Sequence, residues 1–369
     1  MQPVDISRMR LVSQNLVGET LADPTAVARH LLALQGQDMP GVSISLAQRS
    51  TNSLADVRAA FDEGKIVRTW LQRGTLHVLP VEDLHWYLAT VTRRRYTDGR
   101  GKRAPYQPNH TNSDRAGEIA RDLLRSRTTY APDGTVIPGR ATRKELTALW
   151  EEAGVIEEGV SAYQYFFLLN VEGLMVQGPI GVNGDPDMVL IEDWVDARLG
   201  APAQAPDRAD AVRELVRRYV LSHGPATRKD LNWWTGGYPL GEIDRALAEL
   251  DGELASVVVD GTTYWMSPDL PDRATDMRTT LARSLLLLPG FDELMLGYTD
   301  RTATVPEEHL RTIDPMRNGI FRRTVVSGGR LAGLWKVTGP KRKFTVEHLE
   351  EPTPAFERRV HAAARRLPK

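Results

Sequence analysis

The sequence predicts an α+β fold, with three tandem winged-helix units followed by a C-terminal β-rich, barrel-like region. Two observations carry this expectation. One is an internal repeat: ATRKELTALW begins at 141 and ATRKDLNWWT at 226, and the flanking segments match in kind. The other is a change of pattern after about residue 280, where helical spacing gives way to short apolar runs and glycine turns.

In the two repeat copies the elements follow one order. An amphipathic helix comes first, AGEIARDLLRSR at 116–127 and AVRELVRRYVLSHG at 211–224. The ATRK helix follows, with threonine as N-cap and an acid three positions on, Glu145 or Asp230, as in a capping box. A third helix comes next, SAYQYFFLLNVEG at 161–173 and LGEIDRALAEL at 240–250. Each copy closes on two β-like runs around a turn, with Asp260-Gly261 as the tight turn of the second. Three helices and a hairpin make a winged helix. The first 96 residues repeat the order more loosely. RMRLVSQNLV, DPTAVARHLLALQ and SLADVRAAFDEG read as helices, and IVRTWLQRGTLHVLP as a hairpin with Arg73-Gly74 at its tip. PVEDLHWYLATVTRRR closes that unit as a helix. In the last part, GIFRRTVVSGGRLAGLWKVTG reads as a basic hairpin turning at Ser327-Gly328-Gly329, before a final helix, PAFERRVHAAARRL. The expected boundaries are 1–110, 111–200, 201–275 and 276–369.

Composition narrows the function classes. The chain has 369 residues, 41% hydrophobic and 26% charged, which suits a soluble multi-domain protein. Its longest apolar run, SLLLLPGF at 284–291, is far short of the ~18 residues that a membrane span needs. The N-terminus lacks an apolar signal core, and there is no cysteine, so disulfides, thiolate zinc sites and cysteine nucleophiles are excluded. A cytoplasmic protein is expected, with no membrane partner. The formal net charge is −1, but its distribution is uneven. No acid lies between Asp314 and Glu347, a stretch that carries Arg317, Arg322, Arg323, Arg330, Lys336, Lys341, Arg342 and Lys343. A second basic run, RRRYTDGRGKR at 93–103, has only Asp98 against it. A polar chain with one positive face attracts phosphates. The Arg-Lys pairs at 143–144 and 228–229 open helices, where they oppose the helix dipole, so helix stability does not explain them. A phosphate at that turn would meet both cations and free amides.

Familiar catalytic signatures are missing: there is no P-loop, no GxGxxG after a strand and no HExxH, and the eight histidines make no metal spacing. What stands out is Gln35-Gly36-Gln37, two amides just past an apolar helical pattern. QNL at 14–16, LALQGQD, RTWLQRGTLHVLP and LPGFDELMLGYTDR resemble a bacterial family of tandem winged-helix proteins, the YcaQ/AlkZ-type DNA glycosylases. The resemblance spans about residues 10–345, and is most specific in Arg68–His77 and Gly297–Arg301. It implies release of N7-alkylated purines and unhooking of interstrand crosslinks, by a chain that is C-shaped around DNA. The family divides into Gln-x-Asp and Gln-x-Gln branches, and this chain is similar to the second, whose members often protect producers of DNA-alkylating antibiotics. The family's middle residue is often apolar; here it is Gly36.

Chemistry makes two amides sufficient. An N7-alkylguanine is already cationic, so it leaves without a general acid, and the sugar passes through an oxocarbenium-like state. An amide oxygen can hold the attacking water and point its dipole at that cation. Gln35 and Gln37 are assigned jointly to water and sugar; at a spacing of two in an extended turn they would face one side. Expected DNA contacts are Arg73, His77, Arg143, Lys144, Arg228, Lys229, Arg322, Arg323, Arg330 and Lys336. For His77 a hydrogen bond inside the hairpin is the competing role. Tyr298, Asp300 and Arg301 are expected to hold domains together. No lysine sits beside the glutamines, so a monofunctional glycosylase is expected, monomeric, with no metal or cofactor, acting on double-stranded DNA in the bacterial nucleoid. The alternatives are a winged-helix transcriptional regulator and a catalytically inactive DNA-binding relative.

Overall fold

The computed structural model describes residues 2–93, 108–200, 206–316, 318–339 and 343–369. The basic run at 94–103, Arg317, Lys341 and Arg342 therefore lie outside the described residues. The principal elements, in chain order, begin with helices α1 (Pro3–Ser13), α2 (Pro24–Leu31), α3 (Met39–Gln48) and α4 (Leu54–Asp62) and strands β1 (Ile66–Trp70) and β2 (Leu76–Pro80). Then come α5 (His110–Ser126), α6 (Arg143–Glu152), α7 (Ala162–Val171), β3 (Met175–Ile180) and β4 (Pro186–Leu190). The order repeats in α8 (Arg208–His223), α9 (Arg228–Trp234), α10 (Leu240–Glu249), β5 (Ala255–Val259) and β6 (Thr262–Met266). Strands β7 (Leu285–Leu288), β8 (Thr324–Ser327), β9 (Arg330–Thr338) and β10 (Lys343–His348) precede α11 (Pro354–Arg365).

The repeat is visible in the backbone. Thr142 and Thr227 cap α6 and α9, each answered by its acid in a full capping box. The alanine before each threonine bridges the hairpin of its own copy, Ala141 to Met188 and Ala226 to Trp265, through a reciprocal pair of N–H to C=O bonds. The start of the chain departs from expectation in two places. Helix α1 begins at Pro3, not near Arg8, because Pro3 is preset for a first turn and the Gln2 N–H donates to Asp5 (3.0 Å). Helix α3 was not legible, since PGVSISLAQ is rich in residues that favour other structure; burial of Val42, Leu46 and Ala47 overrides that preference.

The chain forms two compact units, 1–57 with 212–369, and 58–211. In the second, hairpins β1–β2 and β3–β4 share an antiparallel sheet through the pairing of Arg68 with Gln177. The first hairpin thus groups with the first repeat copy rather than with helices α1 to α3. Trp70, Trp150, Tyr165, Phe166 and Leu169 belong to this unit's core. In the first unit, β7 to β10 form an antiparallel meander in strand order. It is an open sheet, not a barrel: among the described residues its edge strands β7 and β10 do not pair. Leu287, Val325 and Trp335 pack under α11, whereas Leu288, Val326 and Leu334 join the core that contains Leu11 and Val12. That alternation is the period of two that a sheet covered on both sides requires.

Candidate active site

The Gln35-Gly36-Gln37 segment is set by what surrounds it. Helix α2 ends at Leu31, and Leu32 takes φ 68°, ψ −54°, with Ala33 N–H bonded to the Leu31 carbonyl at 2.8 Å. This is a γ-turn, a strained conformation for leucine that costs roughly 1–3 kcal/mol. It persists because Leu31, Leu32 and Ala33 are all fully buried. The chain then runs extended through Leu34 and Gln35, bends at Gln37 and Asp38, and enters α3. The two glutamines are not equivalent: Gln35 is 6% exposed, whereas Gln37 is an exposed residue. Their spacing alone suggests one shared face; the structure gives the two side chains different exposure.

A buried polar network lies behind this segment. The Gln35 N–H donates to Glu293 Oε1 at 2.9 Å. Arg49, at the end of α3, forms a two-pronged ion pair with Asp292 (2.8 and 2.9 Å), and Ser45 donates to the same carboxylate. Burial pushes the Asp292 carboxyl up, but the charge and hydrogen bonds of Arg49, with Ser45 and the Leu294 N–H, outweigh it and hold Asp292 below the usual carboxylate range. Arg49 also donates to Gln14 Oε1 (2.9 Å), and Gln14 donates to the Tyr298 hydroxyl (3.0 Å). Tyr298 in turn donates to the His223 carbonyl (2.8 Å), with the Arg10 guanidinium 3.5 Å over its ring. Asp230, the capping acid of α9, accepts from Thr299 N–H at 2.9 Å and faces Arg10 at 3.8 Å. The QNL, ATRKD and GYTDR elements are therefore parts of one internal lattice.

The sequence reading missed Glu293, Asp292 and Arg49 as site builders. The available signal was two acids inside the apolar stretch LLLLPGFDELMLGY, since charges in a core must be paired. Of the expected cations, Arg323 lies 4.0 Å from Asp38, the residue after Gln37, and over the Trp335 ring.

The model of the AlkZ-like DNA glycosylases matches residues 28–369. The chain belongs to the AlkZ-like DNA glycosylase family. It is 23% identical over 341 residues to the interstrand DNA cross-link repair glycosylase of Streptomyces sahachiroi, across 89% of this chain and 86% of that protein. The fold matches the solved structure of Streptomyces sahachiroi DNA glycosylase AlkZ, with a TM-score of 0.76 at 19% identity, over 99% of this chain and 95% of that one. This AlkZ-like chain is thus an enzyme of DNA repair, and the regulator alternative is not favoured.

The remaining cations of this AlkZ-like glycosylase differ in how free they are. Lys144, Lys229 and Lys336 are exposed. Arg228 pairs with Asp244 (2.5 Å) and Arg322 with Glu347 (2.8 Å). Arg143 opens α6 half-buried, and Arg330 donates to the Thr302 carbonyl (3.2 Å). The β8–β9 hairpin turns at Ser327-Gly328-Gly329, and both glycines of its tip are buried. Gly328 and Gly329 both have positive φ and pack on α1, where Arg8 and Ser7 donate to their carbonyls. In the second unit, Arg73 sits at the β1–β2 tip with φ 58° and lies 3.5 Å from His77 Nε2. His77 is fully buried, and its Nδ1 meets the Thr75 carbonyl at 2.8 Å. Burial and the Arg73 charge depress its pKa well below the ordinary histidine value, against the pull of that carbonyl. A neutral, enclosed His77 braces the hairpin and Arg73; it presents no charge to a phosphate. Among the described residues no helix is long and apolar enough to cross a membrane.

Proposed function

We propose that this enzyme is a monofunctional glycosylase that hydrolyses the N-glycosidic bond of N7-alkylated purines, bulky adducts and interstrand crosslinks among them. Its biological role is self-resistance to a genotoxic natural product. The reading rests on one observation above all: an exposed glutamine, Gln37, on a segment locked from behind by buried hydrogen bonds and ion pairs. Preorganised dipoles aimed at developing charge are the strongest single catalytic device available without acid–base chemistry. Gln37 is the group that meets the water and the sugar; Gln35, nearly enclosed, supports it. The cross-link repair activity named for the Streptomyces relative fits a site that admits bulk.

DNA is held by Arg73, Arg143, Lys144, Lys229, Arg323 and Lys336, with Arg228, Arg322 and Arg330 exchanging their present partners for phosphate. The enzyme works as a monomer on the duplex.

The test is excision from a duplex carrying one N7-methylguanine, read as alkali-labile abasic sites. We expect product without metal or cofactor, no nick before alkali treatment, no action on uracil, and loss of product in Gln37→Ala. Nicking that precedes alkali would overturn the monofunctional assignment. A fully active Gln37→Ala protein would overturn the role of the glutamines. Intact methylguanine, bulky-adduct and crosslinked substrates would leave the inactive DNA-binding relative.

A further inference from the structure

We propose that Glu293 is a positioning residue for the reaction: its buried carboxylate sets the backbone from which Gln37 reaches the DNA. The inference rests on the catalytic role assigned above to the glutamines. Glu293 is 1% exposed, too enclosed to touch a substrate. Its two oxygens are spent inside the protein. Oε1 accepts the Gln35 N–H at 2.9 Å. Oε2 accepts the Trp234 indole N–H at 3.1 Å and faces His223 Nε2 at 3.4 Å. The two oxygens of a carboxylate have lone pairs for all three, and hydrogen bonds are directional.

The partners are themselves immobilised. The His223 ring stacks on Tyr219 with centroids 4.6 Å apart, and its Nδ1 lies 2.8 Å from the Ser222 hydroxyl. Tyr219 donates to the Gly297 carbonyl at 2.6 Å. A Cβ at Gly297 would stand 2.6 Å from the His223 ring, so only glycine lets the ring pack there. Glu293 opens a short helical turn capped by its neighbour Asp292, the partner of Arg49 and Ser45. Adjacent acids thus clamp one stretch of chain from both ends, Glu293 at Gln35 and Asp292 at Ser45 and Arg49. The exposed residue Gln37 lies between these clamps. Trp234 ends α9, the helix that opens with Arg228 and Lys229, so the clamp also ties the motif to a DNA-facing candidate helix.

A merely structural acid would lower stability when altered and leave the rate of the folded enzyme alone. A positioning acid lowers the rate at saturating enzyme while DNA affinity stays. Single-turnover excision and binding to undamaged duplex should be measured for the parent, Glu293→Asp, Glu293→Gln and Gln37→Ala. Glu293→Asp keeps the charge but is one methylene short of Gln35; we expect a rate loss of about tenfold or more, with affinity within about twofold. Glu293→Gln keeps an oxygen for the Gln35 N–H and should lose less. A folded Glu293→Asp enzyme at parental rate, beside an inactive Gln37→Ala enzyme, overturns the proposal and leaves the glutamine assignment standing. An active Gln37→Ala enzyme overturns the glutamine assignment itself. Should Glu293→Asp not fold, hydrogen exchange of the Gln35 amide in the parent decides: strong protection supports the clamp, and rapid exchange overturns it.

Discussion

At the scale of the residue, partners rather than residue type separate the expected phosphate contacts. Lys229 and Arg228 are neighbours at the start of α9, but Lys229 is exposed whereas Arg228 already holds Asp244. Binding of undamaged duplex measured across a salt series should show it. Lys229→Ala should weaken binding to every sequence alike and lower the salt slope by about one. Arg228→Ala should do less, because its charge is partly neutralised in the free protein. Equal effects would mean that release from Asp244 costs Arg228 nothing when it turns to the DNA. The alternation of such exposed and paired cations was invisible in the sequence, which shows charge but not its counter-charge. The capping acids were visible, because a cap spans only three positions. Glu145 behaves as the cap pattern requires, its carboxyl lowered to about 2 by the Thr142 backbone and hydroxyl bonds and by Arg127.

At the scale of the element, helix α3 depends on a partner distant in sequence. Its residues are poor helix formers, and its C-terminal Arg49 is locked to Asp292 with both side chains fully buried. Removing one member of a buried pair leaves an uncompensated charge. Asp292→Asn should therefore destabilise the first unit by about 3–5 kcal/mol, read by urea denaturation. A loss below about 1 kcal/mol would show that Gln14 and water compensate Arg49, as for an exposed pair. The short strand and turn before α3 follow the same logic. The γ-turn at Leu32 survives because its neighbours are buried, and strain of that sort has no signature in composition.

At the scale of the whole molecule, two histidines, His30 half-buried and His77 buried, make stability depend on pH. His30 bonds the Ser13 carbonyl at 2.6 Å. Burial, against that bond, lowers its pKa from 6.5 to about 4, and the charges of Arg49 and Arg218 add to the fall. Between these values the unfolded chain binds a proton that the folded chain refuses. The His30 contribution is thus fully present above pH 6.5 and is lost as pH falls toward 4, by up to about 3 kcal/mol. His77 acts in the same direction in the second unit. Denaturation at pH 7.5, 6 and 5 should show the decline, and His30→Gln should flatten it. An unchanged slope in that variant would place the proton uptake elsewhere.

The sequence by itself determined the repeated helix–helix–helix–hairpin order, the threonine caps, the turns and the family, because each is written in local spacing or in contiguous motifs. It also singled out Gln35 and Gln37. Tertiary structure alone decided that Gln37 is exposed and Gln35 enclosed, that the β8–β9 tip docks on α1, and that the terminal sheet stays open. It decided as well that Glu293 meets Gln35 from 258 positions away. The reason is physical: hydrogen bonding within a turn is settled by neighbours in the chain, whereas burial and the pairing of charge are settled by which distant segments close over them.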